Sequence, residues 1–296
     1  MFFGRGPTKD EGSESRAMLI VDKIQDLRKA LAGWRSVGKT IALVPTMGAL
    51  HEGHLSLLRT GKKLCNRTVV TIFLNPMQFG CNEDLGTYPS NLEKDIHLLE
   101  TNNADLLFAP TSPEIYPTGF STSVRVEGLS EGLCGLSRVG HFDGVATVVT
   151  KLLMQTQPDQ AIFGEKDYQQ LQVIRRLAID LDIPVEIVGS PTMRETDGLA
   201  LSSRNAYLSP DQRIQASGLY RMLTWASAQI LQEPKEVGKI CEQAKANLLN
   251  TGFSKIDYFE LCNAHTLAPM ERLHSPARLL AAAHIGKARL IDNVAV

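Results

Sequence analysis

Residues 41–54 read IALVPTMGALHEGH and join an apolar run, a glycine-containing turn and the first residues of a helix. The apolar run Ile41–Val44 stops at Pro45, and a pattern of apolar residues at helical spacing begins at residue 55. A strand, turn and helix in this order point free backbone N–H groups at an anion. His51 and His54 are three residues apart, so we expect both imidazoles on one face of the first helical turn. The stretch therefore predicts a nucleotide triphosphate site with histidines beside the reacting phosphate.

A zinc site is the alternative interpretation of the two histidines. Zinc would need at least one further protein ligand from elsewhere in the chain. The string HEGH is not the HExxH motif of metalloproteases, because its histidines are three residues apart instead of four. The phosphate interpretation is favoured once the later segments are taken into account.

The composition is that of a globular protein with a small-molecule partner. The chain has 296 residues, 43% hydrophobic and 21% charged, with a formal net charge of −1. This balance indicates neither a nucleic-acid partner nor a membrane surface, and no apolar run is long enough to span a bilayer. The five cysteines are odd in number and form no CxxC pair, which favours reduced thiols and a cytoplasmic location. The polar residues 1–17 are expected to be a disordered extension.

Apolar runs alternate with helical patterns over the first two-thirds of the chain. The runs predict strands at 41–44, 68–74, 105–108, 159–163 and 184–188, and the helical patterns cover 53–65, 91–102, 142–156 and 168–181. Such alternation indicates an α/β fold with a parallel sheet covered on both faces. Ligands of such sheets bind beyond the carboxyl ends of the strands.

The pattern changes after about residue 190. Ser209 is a candidate helix cap, with Pro210 at the first helical position and Gln212 where a capping box needs it. Helices are expected at 211–232 and 235–250, followed by strands at 256–262, 278–284 and 287–291. We therefore predict a larger domain over residues 18–192 and a smaller α+β domain over residues 193–296.

Two further strand ends carry polar residues. Asn75 and Gln78 follow the expected strand 68–74 and would suit a small polar substrate, although Asn75 alone is better explained as the residue that makes the turn before Pro76. Lys166 follows the strand 159–163 and is suited to phosphate. Asp167 is either a helix cap partnered by Gln170 or a ligand of a ribose hydroxyl.

Two loops complete the set of candidate phosphate-binding segments. Ser202, Ser203 and Arg204 combine two hydroxyls with a guanidinium, which suits a phosphate clamp, although the loop alone is more typical of a helix cap. Gly140 and His141 precede the helix expected from about residue 142 and are candidates to bring donors near the ligand.

Seven longer strings resemble the pantoate–β-alanine ligase family. They are PTMGALHEGH, FLNPMQFG, EDLGTYP, SRVGHFDGVATVV, FGEKDYQQLQVIRR, MRETDGLALSSRNAYLS and RLLAAAHIGKARLIDN, and together they span about residues 18–293. The resemblance implies a Rossmann-like ATP-binding domain of the nucleotidyltransferase group, with His51–His54 and Ser202–Arg204 as its signature elements.

The resemblance also implies a reaction in two steps. ATP and pantoate would give an enzyme-bound pantoyl adenylate and pyrophosphate, and β-alanine would then release AMP and pantothenate. The implied co-substrate and ion are ATP and Mg²⁺, and the implied assembly is a homodimer formed through the larger domain. A nucleotidyltransferase that stops after nucleotide transfer, a non-catalytic nucleotide-binding protein and a histidine zinc protein are the competing hypotheses.

Residue roles follow from the same resemblance. The expected catalytic side chains are His51, His54, Lys166, Ser202, Ser203 and Arg204. Pantoate would be held by Gln78 and Gln170, with Gln78 also near β-alanine. Asp95 is a candidate magnesium ligand through water, although an acidic residue on a helix surface is usually only solvated. The residues expected to line ATP are Met47, Gly48, Ala49, Leu50, His51, Glu52, Gly53, His54, Gly164, Glu165, Lys166, Asp167, Met193, Leu201, Ser202, Ser203 and Arg204.

The chain departs from the family pattern at four positions. Ser90 stands where arginine is common, Cys134 where glutamate is frequent, Val139 where proline is usual and Asn263 where aspartate is usual. None of the four is among the residues assigned to ATP or pantoate, so we expect the reaction to be retained.

Overall fold

A six-stranded parallel sheet forms the larger part of the molecule. The computed structural model describes residues 17–80, 83–274 and 276–296, so the expected extension lies almost wholly outside the described residues. The strand order is β1-β4-β3-β2-β5-β6, and every neighbouring pair is parallel. The strands are β1 (Leu19–Val21), β2 (Ile41–Thr46), β3 (Arg67–Ile72), β4 (Leu106–Phe108), β5 (Gln160–Gly164) and β6 (Glu186–Ser190).

Helices cover both faces of this sheet, as the alternation predicted. Two separate apolar cores result, because successive side chains of a strand point to opposite faces. The helices are α1 (Ile24–Ser36), α2 (Glu52–Leu64), α3 (Leu92–Thr101), α4 (Ser112–Ile115), α5 (Cys134–Ser137), α6 (His141–Thr156) and α7 (Tyr168–Asp180). Within the described residues, no helix is long and apolar enough to cross a membrane.

Strand β1 and helix α1 were not among the expected elements. Strand β1 has only three residues, and Leu19 and Ile20 are exposed on the edge of the sheet, so no alternation of apolar and polar residues marks it. Helix α1 buries Leu27 and Leu31 at helical spacing, which is a signal that the sequence analysis missed.

A second, antiparallel sheet follows residue 190. It consists of β7 (Lys255–Asn263), β8 (Ala277–Ile285) and β9 (Ala288–Ala295), in the order β7-β8-β9. One of its faces packs on helices with Phe259, Leu279 and Ala281, and the other joins the larger core through Tyr258 and Leu280. The fold is thus α/β with a smaller α+β part, while a domain boundary at residue 193 stays a prediction.

The single helix expected over 211–232 is wrong, because the structure divides it in two. The helices of this part are α8 (Pro210–Ala216), α9 (Gly218–Gln232) and α10 (Val237–Asn250). The Ser217 hydroxyl donates to the Ile214 carbonyl at the break between α8 and α9. At the start of α8, Ser209 and Gln212 form the predicted capping box.

Candidate active site

A cavity of about 210 Å³ opens where the strands β2, β3 and β5 end. It is lined by residues that follow each strand, such as Met47 after β2, Gln78 after β3 and Gly164 at the end of β5. This is the edge at which parallel sheets bind ligands, because the carboxyl ends of all their strands meet there. Of the residues expected to line ATP, twelve border the cavity: Met47, His51, Gly53, His54, Gly164, Lys166, Asp167, Met193, Leu201, Ser202, Ser203 and Arg204.

The turn after β2 is held in an unusual backbone conformation by Asp95. Gly48 has φ +87° and Ala49 has φ +50°, a region that residues with a side chain rarely occupy. The two carboxylate oxygens of Asp95 accept hydrogen bonds from the N–H groups of Leu50 at 2.8 Å and Ala49 at 2.9 Å. The expectation that Asp95 is a solvated residue on a helix surface is wrong: its side chain is 2% exposed and shapes the turn.

The two histidines cap the helix that they begin. Nδ1 of His51 accepts from the Gly53 N–H, and Nδ1 of His54 accepts from the His51 N–H, so the pair forms a capping box at the start of α2. An imidazole nitrogen that accepts a hydrogen bond carries no proton, so both rings are neutral with the proton on Nε2. The ring centroids are 4.1 Å apart, and both rings line the cavity. Each ring therefore has an N–H to donate to a ligand.

The electrostatic surroundings agree with neutral rings. Burial and the nearby Lys166 ammonium lower the pKa of His51 to about 4. Burial, His51 and Lys166 lower the pKa of His54 to about 3. At neutral pH the two side chains are thus hydrogen-bond donors without charge, and Lys166 is the cation of this group.

The polar residues after β3 form one hydrogen-bonded unit. The Asn75 amide donates to Gln78 Oε1 at 3.0 Å and to the Gly144 carbonyl at 3.1 Å, while its oxygen accepts from the Met77 N–H and the Tyr116 hydroxyl. Asn75 therefore makes the turn, as its position before Pro76 indicated. Gln78, which lines the cavity together with Gln170, is thereby fixed in place.

Residues 164–170 bring a cation and an amide to the cavity. Lys166, Asp167 and Gln170 all line it. Asp167 makes no side-chain cap at the start of α7, so the capping-box alternative for Asp167 and Gln170 is wrong. The Asp167 carboxylate lies 3.9 Å from the Lys166 ammonium and remains accessible from the cavity.

The Ser202–Arg204 segment closes the cavity from the side of the smaller sheet. The Ser202 hydroxyl accepts from the Arg204 N–H, and the Ser203 hydroxyl donates to the Ala49 carbonyl at 3.1 Å. The Arg204 guanidinium makes a bidentate ion pair with Asp84 at 2.8 and 3.0 Å. A phosphate that binds Arg204 must therefore share this side chain with Asp84, a residue that the sequence analysis did not select.

Several expected residues lie outside the cavity lining. The backbone of Gly48, Ala49 and Leu50 is turned toward Asp95, Glu52 is exposed and pairs with Arg59, and Glu165 pairs with Arg278. His141, a candidate to bring a donor near the ligand, does not line the cavity either. Helix α6 begins at this buried residue, whose Nδ1 lies 2.9 Å from the Gln78 carbonyl and whose pKa is lowered to about 4 by burial and Arg138.

The apolar wall of the cavity was missed by the sequence analysis. Four of its seven residues belong to α6. The spacing of apolar residues in α6 was visible, but the same spacing would be found in a helix buried in an ordinary core. The wall consists of Leu57, Phe73, Val145, Val148, Val149, Leu152 and Phe163.

No metal centre is formed by protein ligands alone in residues 17–80, 83–274 and 276–296. Groups of three or more histidine, cysteine, aspartate or glutamate side chains suited to a metal ion do not occur there. The zinc hypothesis for His51 and His54 therefore lacks further ligands in this part of the chain. None of the four departures from the family pattern lines the cavity.

Comparison with known proteins decides the family. A family model described as pantoate-beta-alanine ligase matches residues 19–295. The chain belongs to this family. It is 55% identical to the pantothenate synthetase of Paramagnetospirillum magneticum over 95% of this chain and 99% of that protein. It is 49% identical to that of Rhodospirillum rubrum over 95% of this chain and 100% of that protein.

Solved structures of the family have the same architecture. The crystal structure of pantothenate synthetase from Thermus thermophilus matches with a TM-score of 0.87 and 45% identity, covering 94% of this chain and 99% of that one. The pantoate-beta-alanine ligase of Francisella tularensis, described as complexed with beta-gamma ATP and beta-alanine, matches with a TM-score of 0.79 and 36% identity, covering 94% and 98%. The family thus has the large parallel sheet and the smaller antiparallel sheet in common.

Proposed function

We propose that this chain condenses pantoate with β-alanine at the expense of ATP, giving pantothenate, AMP and pyrophosphate through a pantoyl adenylate. One observation carries the proposal. The two neutral imidazoles and Lys166 face the same cavity as the amides of Gln78 and Gln170. A triphosphate and a small hydroxy acid can therefore bind side by side, as this reaction requires.

The first step needs positioning and charge neutralisation more than proton transfer. A pantoate carboxylate oxygen attacks the α-phosphorus, a new P–O bond forms, and the bond to the β-phosphate oxygen breaks with release of pyrophosphate. Negative charge grows on the phosphate oxygens in the transition state, where preorganised donors are most effective. The Nε2–H groups of His51 and His54 and the ammonium of Lys166 are such donors, with Ser202, Ser203 and Arg204 beside them.

His54 acts in this step as a hydrogen-bond donor instead of a general acid. Its pKa of about 3 leaves almost no imidazolium at neutral pH. Its Nδ1 also accepts from the His51 N–H, so a second ring proton would remove a bond that the helix start needs. Pyrophosphate leaves readily as an anion, so no proton donor is required.

The cavity has a polar side and an apolar side, and pantoate has groups that suit each of them. The amides of Gln78 and Gln170 would pair with its hydroxyl groups and carboxylate. The apolar wall on α6, with Val145, Val148 and Val149, would pack on its two methyl groups. In the second step the amine of β-alanine attacks the acyl carbonyl of the adenylate, and AMP leaves as the new amide forms.

Magnesium enters with ATP in this proposal. Both carboxylate oxygens of Asp95 accept hydrogen bonds from backbone N–H groups, and both of Asp84 accept from Arg204. The Asp167 carboxylate, in contrast, faces the cavity. The residues therefore fit a magnesium ion bound together with ATP, and Asp167 is the carboxylate that would help to hold it. The ion would supply further neutralisation of the phosphates.

The test is exchange of labelled pyrophosphate into ATP without β-alanine. We expect exchange that requires pantoate, because the adenylate step reverses on its own. Lack of exchange in folded protein that binds ATP would contradict pantoate as the acid. Release of AMP that depends on β-alanine separates this ligase from a nucleotidyltransferase that stops after nucleotide transfer.

A cytoplasmic homodimer is the proposed form of the protein. The unpaired cysteines Cys65, Cys134, Cys241 and Cys262 support a reducing compartment. The exposed apolar side chains of Leu19 and Ile20 on the edge strand of the larger sheet support self-association through that part. Light scattering on a gel-filtration column tests the assembly, and a mass of one chain at micromolar concentration would contradict it.

A further inference from the structure

The turn that carries Lys166 is held from the other sheet. Asn293, on β9, donates from its amide nitrogen to the Glu165 carbonyl at 2.9 Å and to the Lys166 carbonyl at 3.0 Å. Asn293 is 4% exposed, so both bonds are shielded from water. One side chain thus fixes two consecutive peptide groups of the turn that follows β5.

The neighbouring residue, Asp292, holds the loop that precedes the Ser202–Arg204 segment. Asp292 makes a bidentate ion pair with Arg194 at 2.5 and 2.8 Å, and Arg194 also donates to the Gly198 carbonyl. The segment from Arg194 to Ala200 closes on itself through a β-bridge and leads directly into Ser202–Arg204. Two adjacent residues of β9 therefore contact the turn of Lys166 and, through Arg194, the loop that leads to Ser202–Arg204.

The orientation of the Asn293 amide follows from its partners. A flipped amide would direct its oxygen at two carbonyl oxygens, so the nitrogen must face the turn. Asn293 Oδ1 is buried and has no hydrogen-bond partner among the residues that the structure describes. An unpaired buried acceptor costs free energy. The fold tolerates this cost at Oδ1, and the amide nitrogen donates two hydrogen bonds to the turn.

We propose that Asn293 is a positioning residue for the adenylation step. By fixing the backbone of residues 165 and 166, Asn293 holds the Lys166 ammonium at the phosphates of ATP. The inference rests on the proposed function, because it takes Lys166 to face ATP. It assigns to the smaller sheet an indirect part in the reaction, because a residue of β9 fixes the turn that carries Lys166. The Lys166 ammonium lies 3.9 Å from the Asp167 carboxylate, too far for a hydrogen bond of normal length.

The experiment compares Asn293→Ala and the isosteric Asn293→Asp with a matched control. The control is Tyr168→Phe, which removes another hydrogen bond between the two parts, from the Tyr168 hydroxyl to the Ala264 carbonyl, without touching the turn carbonyls. We expect the Asn293 variants to lose roughly 10²-fold in pyrophosphate exchange, as displaced catalytic groups do, and Tyr168→Phe to stay within about twofold. Thermal unfolding of all three variants reports any general loss of structure.

A double-mutant cycle shows whether Asn293 acts through Lys166. The affinity for MgATP is measured by calorimetry for the wild type, Asn293→Ala, Lys166→Met and the double variant. We expect Asn293→Ala to weaken MgATP binding about tenfold in the wild type and less than about twofold in the Lys166→Met background, because coupled residues are not additive. An equal factor in both backgrounds would overturn the inference.

Failure of the inference and failure of the proposed function give different results. Wild-type protein that binds no MgATP and catalyses no exchange would contradict the proposed function. Wild-type protein that does both, with Asn293→Ala indistinguishable from it, would contradict the inference alone. If Asn293→Ala and Asn293→Asp do not fold, Asn293→Ser, which keeps one donor, replaces them, with an intermediate loss expected.

Discussion

At the scale of single residues, the proton positions on His51 and His54 determine what these side chains do. Both offer Nε2–H because both Nδ1 atoms are acceptors within the helix cap. We expect His54→Ala to lower turnover by roughly 10²- to 10³-fold, the usual loss for one preorganised donor. His54→Gln, which restores an N–H donor, should recover part of it. Steady-state kinetics checks both variants, and turnover of His54→Ala equal to the wild type would remove His54 from the mechanism.

Gln78 tests the assignment of the pantoate subsite. Its amide is held by Asn75 and faces the cavity beside the apolar wall. We expect Gln78→Ala to raise the KM for pantoate at least several-fold more than the KM for ATP, because the amide pairs with the acid and not with the nucleotide. Gln160→Ala, a surface change at the Glu186 contact, is the control. An equal rise in both KM values would show that the subsite is misassigned.

Asp95 separates a structural role from a magnesium role. Asp95→Asn replaces one of two acceptors by a donor that faces a backbone N–H. We expect a loss of about 1.5–3 kcal/mol in the free energy of unfolding, typical of hydrogen bonds to a charged group, with an unchanged magnesium requirement. Urea denaturation and a magnesium titration of the rate provide the two readouts. Undiminished stability together with a raised magnesium requirement would contradict the structural role and indicate that Asp95 helps to bind magnesium.

At the scale of elements, the approach of helix α6 to the turn of Gln78 shapes the cavity. A Cβ atom on Gly144 would lie 2.2 Å from the Met77 carbonyl oxygen and 2.6 Å from the Gln78 nitrogen. Both atoms belong to the backbone, so the helix and the turn must move apart if a side chain is added. Close contact of helix and turn thus depends on glycine at this position.

Gly144→Ala should therefore affect both stability and pantoate binding. We expect a loss of about 1–3 kcal/mol from overpacking and a raised KM for pantoate. Gly238→Ala in helix α10 is the matched control, because a Cβ there meets nothing within 4 Å and alanine favours a helix, so this variant should be slightly more stable. Equal melting temperatures for the two variants would contradict the packing argument.

At the scale of the whole molecule, histidines that stay neutral in the folded chain make stability depend on pH. The pKa is lowered to about 4 in His51, about 3 in His54 and about 4 in His141, from an ordinary value of 6.5. Below pH 6.5 the unfolded chain therefore binds protons that the folded chain does not. Stability should fall as pH decreases from about 6.5 to about 4, by up to about 1.4 kcal/mol per pH unit for each histidine.

Denaturant unfolding at about pH 7.5, 6.0 and 5.0 measures this slope. His141→Asn keeps a donor near the Gln78 carbonyl but removes the titrating group. The slope of its free energy of unfolding against pH should therefore be smaller by the contribution of one proton. The carboxyl of Asp257, whose pKa the protein lowers, affects stability only as the pH approaches its ordinary pKa of 3.8. Its contribution therefore lies below the pH range of this measurement. A slope that is the same in His141→Asn and in the wild type would refute the assignment.

The interface of the two sheets was not visible in the sequence. Asp292 is separated from Arg194 by 98 residues and Asn293 from Lys166 by 127, so neither pair forms a local motif. The Arg204–Asp84 pair and the Asp95 contacts with Ala49 and Leu50 also join residues that are far apart in the sequence. Pairs of this kind depend on which chain segments meet, and a periodic pattern contains no information on that.

Four features could be predicted from the order of residues: the parallel strands β2 to β6, the helix that begins at the paired histidines, the capping box at Ser209 and the family. Each of these rests on local geometry, on the period of apolar residues or on long matching strings, all of which can be read along the chain. Three features became visible only in the folded chain: Asp95 supports a turn, Arg204 pairs with Asp84 and Asn293 holds the backbone of Lys166. These are long-range contacts, whose partners become neighbours only when the chain folds and the two sheets pack together.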